Sequence, residues 1–318
     1  MVLHVLLFVA GIVLLWLSSE ILLRKITPIA QYFRVRELVV TVLGVSVLSS
    51  LPELTVSGFA IAAGKADISI GNVIGSNFVT LTFVAVLCAF IRPIDIHEQI
   101  RERESSWMIL SSSLVLLLSM DGLLTRFDGL LLILSYIPYI ISVIRQAGKD
   151  KHEHQGPRPE KIWLHILLAV AAIGGILFSA KLTLDHGEAL GLALGIPALT
   201  LGVVLFAFGT SLPELAISLS ATFKKKAEVT IGEVYASNIF TQLVVLGTCA
   251  LIAPINISAG MLGFAMPFLI LATVLIQIFI TSGRVLNRWE ALVWMALYVM
   301  FLISNFFQLP TLDKLIGW

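Results

Sequence analysis

The pentapeptide Ser-Leu-Pro-Glu-Leu occurs at 50–54 and again at 211–215, each time inside a long and largely apolar run. A proline within a helix removes one backbone hydrogen bond and crowds the carbonyl four residues earlier. Pro52 is therefore expected to loosen the carbonyl of Leu48, and Pro213 that of Gly209. A carbonyl without a partner in hydrocarbon costs several kcal/mol. A carboxylate at the bilayer centre adds about 2.5–3.5 kcal/mol even on the insertion scale. One bound cation answers both problems. Glu53 and Glu214 offer negative charge and the loosened carbonyls offer neutral oxygen. Ser49, Ser50, Thr210 and Ser211 add hydroxyls. These are hard oxygen donors, suited to Ca²⁺ or Na⁺ and not to soft metals.

A second stretch follows each pentapeptide: "SIGNVIGSNFVT" at 69–80 and "TIGEVYASNIFT" at 230–241. Ser76 and Thr80 lie four residues apart, as do Ser237 and Thr241, so each pair shares a helical face. The glycines are explained by close helix approach alone. Asn77 and Asn238 read as caps of broken helix ends rather than as ion ligands. A threonine hydroxyl bonded to its own helix is the rival to direct ligation by Thr80 and Thr241.

The elements that must position these residues are membrane helices. Of 318 residues, 58% are hydrophobic and 13% charged, with a mean hydropathy of +0.98. A soluble domain carries about 25% charged residues. Ten apolar spans are expected, roughly 2–23, 37–63, 69–91, 106–122, 128–145, 162–184, 196–223, 229–252, 261–282 and 288–307. The first begins at Val2 without a basic leader and reads as a retained helix. The alternation of a membrane β-barrel is absent. Net charge is +1, which makes no case for nucleic acid. Cys88 and Cys249 fall in apolar runs and suggest neither a disulfide framework nor a metal knuckle.

With ten spans, 17 of the 21 Lys and Arg residues fall on one side of the membrane, among them Arg24, Arg92, Arg103, Arg145 and Lys224 to Lys226. The positive-inside rule makes that side cytoplasmic and puts both termini outside, in a plasma (inner) membrane. The polar linker 146–161 divides the chain into five spans and five, 1–145 and 162–318. Shifted by 161 residues, 42–96 overlays 203–257 without a gap: Ser57 falls on Ser218, Cys88 on Cys249, and "PIDI" on "PINI". An odd number of spans per half turns the second copy upside down. The expected fold is thus an all-α polytopic membrane protein of ten helices in two inverted five-helix repeats. Such repeats typify secondary transporters that bind substrate at the midplane.

These paired stretches resemble the α-repeats of the sodium/calcium exchanger family, within the calcium:cation antiporter superfamily. The family pattern is G-T-S-L-P-E followed by G-N-x-x-G-S-N. The first motif is complete at 209–214 and the second at 71–77. The resemblance implies a ten-helix antiporter exchanging Ca²⁺ for Na⁺ by alternating access, with helices one and six sliding across a core of broken helices. It implies that Glu53 and Glu214 are the main Ca²⁺ ligands, and that Ser49 and Thr210 ligate through hydroxyl and carbonyl. It further implies that Ser50, Ser211, Ser76 and Ser237 serve sodium sites and that Ser46 and Ala207 offer backbone carbonyls. Inorganic cations and the lipid bilayer are then the only partners. No cofactor, nucleic acid, obligate protein partner or enzymatic activity is expected.

The chain departs from the pattern at Thr80 and Thr241, where the family carries Asn or Asp, at Leu48, and at Glu233, where it carries Asn. Glu233 is expected near the cytoplasmic mouth as a solvated acid favoured by a helix start. The core would then keep two carboxylates, balancing one Ca²⁺, two Na⁺ or two protons. A three-to-one sodium stoichiometry would leave excess charge in a low dielectric. Exchange of Ca²⁺ for protons on the two glutamates is the alternative reading. A passive cation channel is a further class, disfavoured by the inverted duplication. An intramembrane enzyme lacks any paired-Asp or zinc-type His signature in the spans. Glu20 and Lys181 are repeat counterparts but should lie at opposite faces and snorkel, and "HEH" at 152–154 reads as plain linker.

Overall fold

The computed structural model describes residues 1–33, 44–95, 103–147, 161–223, 227–283, 285–286 and 288–307. The linker tract with "HEH", and Lys224 to Lys226, lie outside these residues. The first half contains α1 (Val2–Tyr32), then α2 (Ser46–Ser49) and α3 (Leu51–Ala62). It continues through α4 (Ala66–Phe78), a π-helical turn (Val79–Val84), α5 (Ala85–Ile91), α6 (Ser105–Ser119) and α7 (Arg126–Ala147). The second half contains α8 (Ile162–Leu194), then α9 (Ala198–Thr200), a π-turn (Leu201–Phe206), α10 (Ala207–Thr210) and α11 (Leu212–Phe223). Next come α12 (Ala227–Phe240), a π-turn (Thr241–Val245) and α13 (Leu246–Ile252). A π-turn (Met261–Ala265), α14 (Met266–Gly283) and α15 (Arg288–Phe307) complete it.

Each of the ten expected stretches contains helix among the described residues, although 120–122 and 196–197 are turn or irregular. Among the described residues six helices are long and apolar enough to cross a membrane alone. A seventh span is the pair Ala198–Thr210 and Leu212–Phe223, bent by 43°. The chain is an all-α polytopic membrane protein. Two helices outrun their expected bounds. At 31 and 33 residues, α1 and α8 are about 46–50 Å long against a hydrocarbon thickness of about 30 Å. Hydropathy locates hydrocarbon rather than helix ends. Nothing stops α8 until Gly195, whose φ of 66° makes a left-handed cap.

Element bounds recur between the halves. Ser46–Ser49 matches Ala207–Thr210, Leu51–Ala62 matches Leu212–Phe223, and Ala85–Ile91 matches Leu246–Ile252, always at an offset of 161. The short strands follow suit. Here β1 (Ile94–Asp95) pairs antiparallel with β4 (Val285–Leu286), while β2 (Leu123–Leu124) pairs with β3 (Ile255–Asn256). Since β1 and β3 are counterparts, each half pairs with the other in the same way, crosswise.

Burial separates core from rim. The spans Ala66–Ile91 and Thr230–Ile252 are each 78% buried, against 22% for α1 and 28% for α8. The outer pair α1 and α8 pack along each other and expose Leu3, Leu6, Val9, Leu167, Val170 and Phe178. This apolar face suits lipid. Inside, backbones touch: a Cβ added to Gly202 would lie 2.7 Å from the Ile68 carbonyl oxygen, and one on Gly71 2.8 Å from that of Leu199. Small residues are what allow α4 to lie against the π-turn before α10 at that distance.

Candidate cation site

Both prolines start helices rather than distort them. Ser50 and Ser211 adopt φ/ψ of −86°/8° and −83°/8°, which break each span just before the Leu-Pro-Glu tripeptide. Pro52 then occupies the first turn of α3, where its missing N–H has no intrahelical role. At the first break the Ser50 N–H donates to the Ser46 carbonyl at 3.3 Å. The breaks instead place Glu53 and Glu214 in the first turns of α3 and α11. There the positive ends of two helix dipoles face the acids.

The two carboxylates are served across the halves. Ser211 Oγ donates to Glu53 Oε1 at 3.2 Å, and Ser50 Oγ donates to Glu214 Oε1 at 3.3 Å. Both glutamates are 1% exposed. Their Oε2 atoms are buried and have no hydrogen-bond partner among the described residues. Such an oxygen costs about 1–3 kcal/mol or more for a charged group. The hydroxyl contacts are slack too: a charge-assisted O–H···O⁻ bond is about 2.5–2.7 Å long. Oxygens that share a cation at 2.3–2.6 Å lie about 3–3.5 Å apart. The 3.2 and 3.3 Å contacts fall within that range, and within hydrogen-bond reach.

The remaining expected ligands divide into two groups. Near the breaks, the Ser46 carbonyl accepts Ser49 Oγ at 3.1 Å and Ser50 Oγ at 3.0 Å, and the Ala207 carbonyl accepts Thr210 Oγ1 at 3.4 Å. The second group donates into its own helices. Ser76 Oγ bonds to the Val73 carbonyl at 3.0 Å and Ser237 Oγ to that of Val234 at 3.1 Å. Thr80 Oγ1 bonds to the Ser76 carbonyl at 2.8 Å and Thr241 Oγ1 to that of Ser237 at 2.7 Å. The protons of Ser76, Ser237 and Thr241 are thus committed to the backbone, and their lone pairs are all they can offer an ion.

Asn77 and Asn238 cap no helix end. They join the halves: Asn238 Nδ2 donates to the Asn77 carbonyl at 3.3 Å, and Gln242 Nε2 to Asn77 Oδ1 at 2.9 Å. Thr80 Oγ1 lies 2.6 Å from Asn238 Oδ1. Glu20 pairs with Arg24 at 2.8 Å on its own helix, as its expected place at a membrane face requires. Cys88 and Cys249 are buried free thiols.

Glu233 overturns its expected position. It is 4% exposed and lies within the core, not at a solvated mouth. Its Oε1 accepts Ser49 Oγ at 3.1 Å and its Oε2 accepts Ser218 Oγ at 3.3 Å. It lies about two helical turns into α12. The cluster around the two helix breaks therefore holds three carboxyls, and the count of two was wrong. The signal was present in the sequence: Glu233 is the repeat counterpart of Asn72, which is fully buried. Among the described residues no three His, Cys, Asp or Glu side chains converge as a closed metal cluster. The arrangement is a mixed one, with acids spaced by hydroxyls.

The profile described as "Sodium/calcium exchanger protein" matches residues 3–145 and 164–307. The sodium/calcium exchanger MaX1 of Methanosarcina acetivorans is 26% identical, over 95% of this chain and 98% of its own. The inner membrane protein YrbG of Escherichia coli (strain K12) is 29% identical, over 80% of this chain and 81% of its own. A solved structure of the sodium-calcium exchanger NCX_Mj superposes with a TM-score of 0.73 at 27% identity, covering 95% of this chain and 99% of that one. Matched through both halves by one profile, and along nearly its whole length by these relatives, the chain belongs to the sodium/calcium exchanger protein family.

Proposed function

We propose that this cation exchanger moves Ca²⁺ against Na⁺ by alternating access, at a site centred on Glu53 and Glu214. The observation that carries the reading is the crossed pairing. Each half's serine serves the other half's glutamate, and each glutamate keeps one buried oxygen without a partner. A divalent cation between the two would be held by both halves at once. Na⁺ would compete for the same oxygens, so the two ions exclude one another and exchange becomes obligatory.

The recurrence of element bounds and the crosswise strand pairing support two inverted five-helix repeats, 1–145 and 162–318, and ten crossings in all. The basic residues favour both termini outside and the linker 146–161 in the cytoplasm of a plasma (inner) membrane. The outer pair α1 and α8, packed on each other and little buried, is the element suited to slide over the core. The glutamates are closed from both faces, as an occluded site requires.

The test is uptake of radiolabelled Ca²⁺ into proteoliposomes under an outward Na⁺ gradient or an outward proton gradient, for wild type and Glu53→Gln. Uptake that needs Na⁺ and is lost in the variant is expected. Uptake driven only by protons would replace Na⁺ as counter-ion, and uptake indifferent to both gradients would mean a channel.

A further inference from the structure

Lys65 Nζ and Glu188 Oε2 form an ion pair across 123 positions of the chain. The pairs Glu20–Arg24 and Arg103–Glu104 join close neighbours in sequence. This one joins α8, of the outer pair, to the corner between α3 and α4. The corner is stiff. Gly64, at φ 76°, ends α3; its N–H donates to the Ile61 carbonyl at 3.0 Å, and the Lys65 N–H to that of Ala60 at 2.8 Å. These two bonds make a Schellman cap, which needs a left-handed residue at Gly64. The next helix, α4, starts directly after, at Ala66. Lys65 is thus fixed to the core, and Glu188 rides on α8.

Beside Glu188 the two bodies meet on a smooth seam. Gly187 and Gly191 lie one turn apart on α8. A Cβ on Gly187 would sit 2.5 Å from Phe206 Cζ, and one on Gly191 2.8 Å from Leu201 Cδ2, both in the π-turn of the core. Glycines at this spacing let helices approach closely, and they key no side chain of α8 into the core. The ion pair supplies the tie that the seam lacks. A cavity of about 390 Å³ opens at the same place, lined by Lys65, Asp67, Glu188 and Asn256 among others. It stands at the start of α4. Further along α4, Asn72 Oδ1 accepts Thr210 Oγ1 at 3.2 Å, at the second helix break. The ion pair therefore closes the mouth on the way to the glutamates.

The second copy does not repeat this arrangement. At the offset of 161, Lys65 falls on Lys226, but Glu188 falls on Thr27, which carries no charge, and the two glycines fall on Ile26 and Ala30. The basic residues put the α3–α4 corner outside. The charge pair is thus a feature of the outer mouth, without a counterpart at the cytoplasmic one. Its side chains are 26% and 32% exposed. A pair so placed is weak enough to bias an equilibrium without locking it.

We propose that Lys65 and Glu188 form a latch that clips α8 to the core at the outer mouth, so that the ion-free exchanger rests open to the cytoplasm. The inference rests on the reading of alternating access. Opening outward must carry α8 away from the corner and part the two charges, whereas opening inward leaves them together.

The experiment is hydrogen exchange of the full chain in detergent, without Na⁺ or Ca²⁺, for wild type, Lys65→Gln, Glu188→Gln and the double variant. Exchange follows the population of open states. Each single variant should speed exchange at 67–72, beside the outer cavity, by about two- to fivefold. It should slow exchange at 216–223, towards the cytoplasmic end of α11, because a carrier that opens on one side closes on the other. The double variant should match the single ones, since one neutral partner already undoes the latch. Additive effects would overturn the proposal, and so would variants that exchange like wild type. A rise at 67–72 with no fall at 216–223 would be local loosening and would overturn it as well. The underlying reading has its own control: Ca²⁺ added to wild type should slow exchange at both breaks, 46–54 and 207–215. Breaks that ignore Ca²⁺ would remove the site itself, and with it the cycle that the latch is meant to bias.

Discussion

Ser211→Ala should act on Ca²⁺ binding through Glu53, in the other half of the molecule, and not through its sequence neighbour Glu214. On a regular helix a residue meets those three and four positions away, so a local reading would couple Ser211 to Glu214. The structure crosses the partners: Ser211 Oγ is 3.2 Å from Glu53 Oε1. A hydrogen bond to a charged group contributes about 1.5–3 kcal/mol. The 3.2 Å separation favours the low end, so Ser211→Ala should weaken Ca²⁺ binding by about tenfold, at 1.4 kcal/mol per decade. With Glu53→Gln already present, the serine serves a neutral amide, and its removal should cost only about 0.5–1 kcal/mol. The coupling between the two changes is then about 0.5–1 kcal/mol.

The assay is equilibrium binding of radiolabelled Ca²⁺ to purified protein without Na⁺, in a double-mutant cycle of Ser211→Ala with Glu53→Gln and a second cycle with Glu214→Gln. All three residues surround one ion, so neither coupling need vanish, but the first should exceed the second. The mirror cycle should show Ser50 coupled to Glu214 more than to Glu53, through its 3.3 Å contact. Ser211 coupling more strongly to Glu214 would refute the crossed geometry, and with it the argument that both halves must close on the same cation.

Two structural predictions accompany these. Gly202→Val should destabilise the protein by about 1–3 kcal/mol or more through overpacking, because even a Cβ would sit 2.7 Å from a backbone oxygen; thermal unfolding in detergent reads it. Asn77→Ala removes the acceptor of Gln242 at 2.9 Å and should cost about 1–3 kcal/mol, measured the same way and present equally with and without Ca²⁺. An effect of Asn77→Ala seen only in the presence of Ca²⁺ would make that side chain a ligand instead of a brace between the halves.

What could be read from the sequence was what two copies say when compared. Glu53 and Glu214 stood out because proline and hydroxyls travel with both, and the offset that aligns them also aligns helix breaks and strands that a single copy would not reveal. Hydropathy was enough to find the spans, since burial in lipid demands it, but it could not end α1 or α8, which run on as helix through Lys25 and Gln31 in one and Asp185 and Glu188 in the other. The place of Pro52 was misjudged because it was treated as an intruder in one continuous helix, whereas a proline two residues past a break is in the first turn of the next. Glu233 was misjudged for a deeper reason. Its distance along the chain from a cytoplasmic loop says how far in it begins, but not what surrounds it. Ser49 comes from the other half, and Ser218 is fifteen residues earlier on a neighbouring helix. The comparison with Asn72 was the only clue within the sequence that the position is interior, since a counterpart inherits the pocket even when the residue type changes. In a duplicated transporter, then, the positions where the copies disagree are where charge has been added to or removed from a shared architecture. Here the pentapeptides agree on both acids, and Glu233 in place of an amide is the disagreement that adds a third.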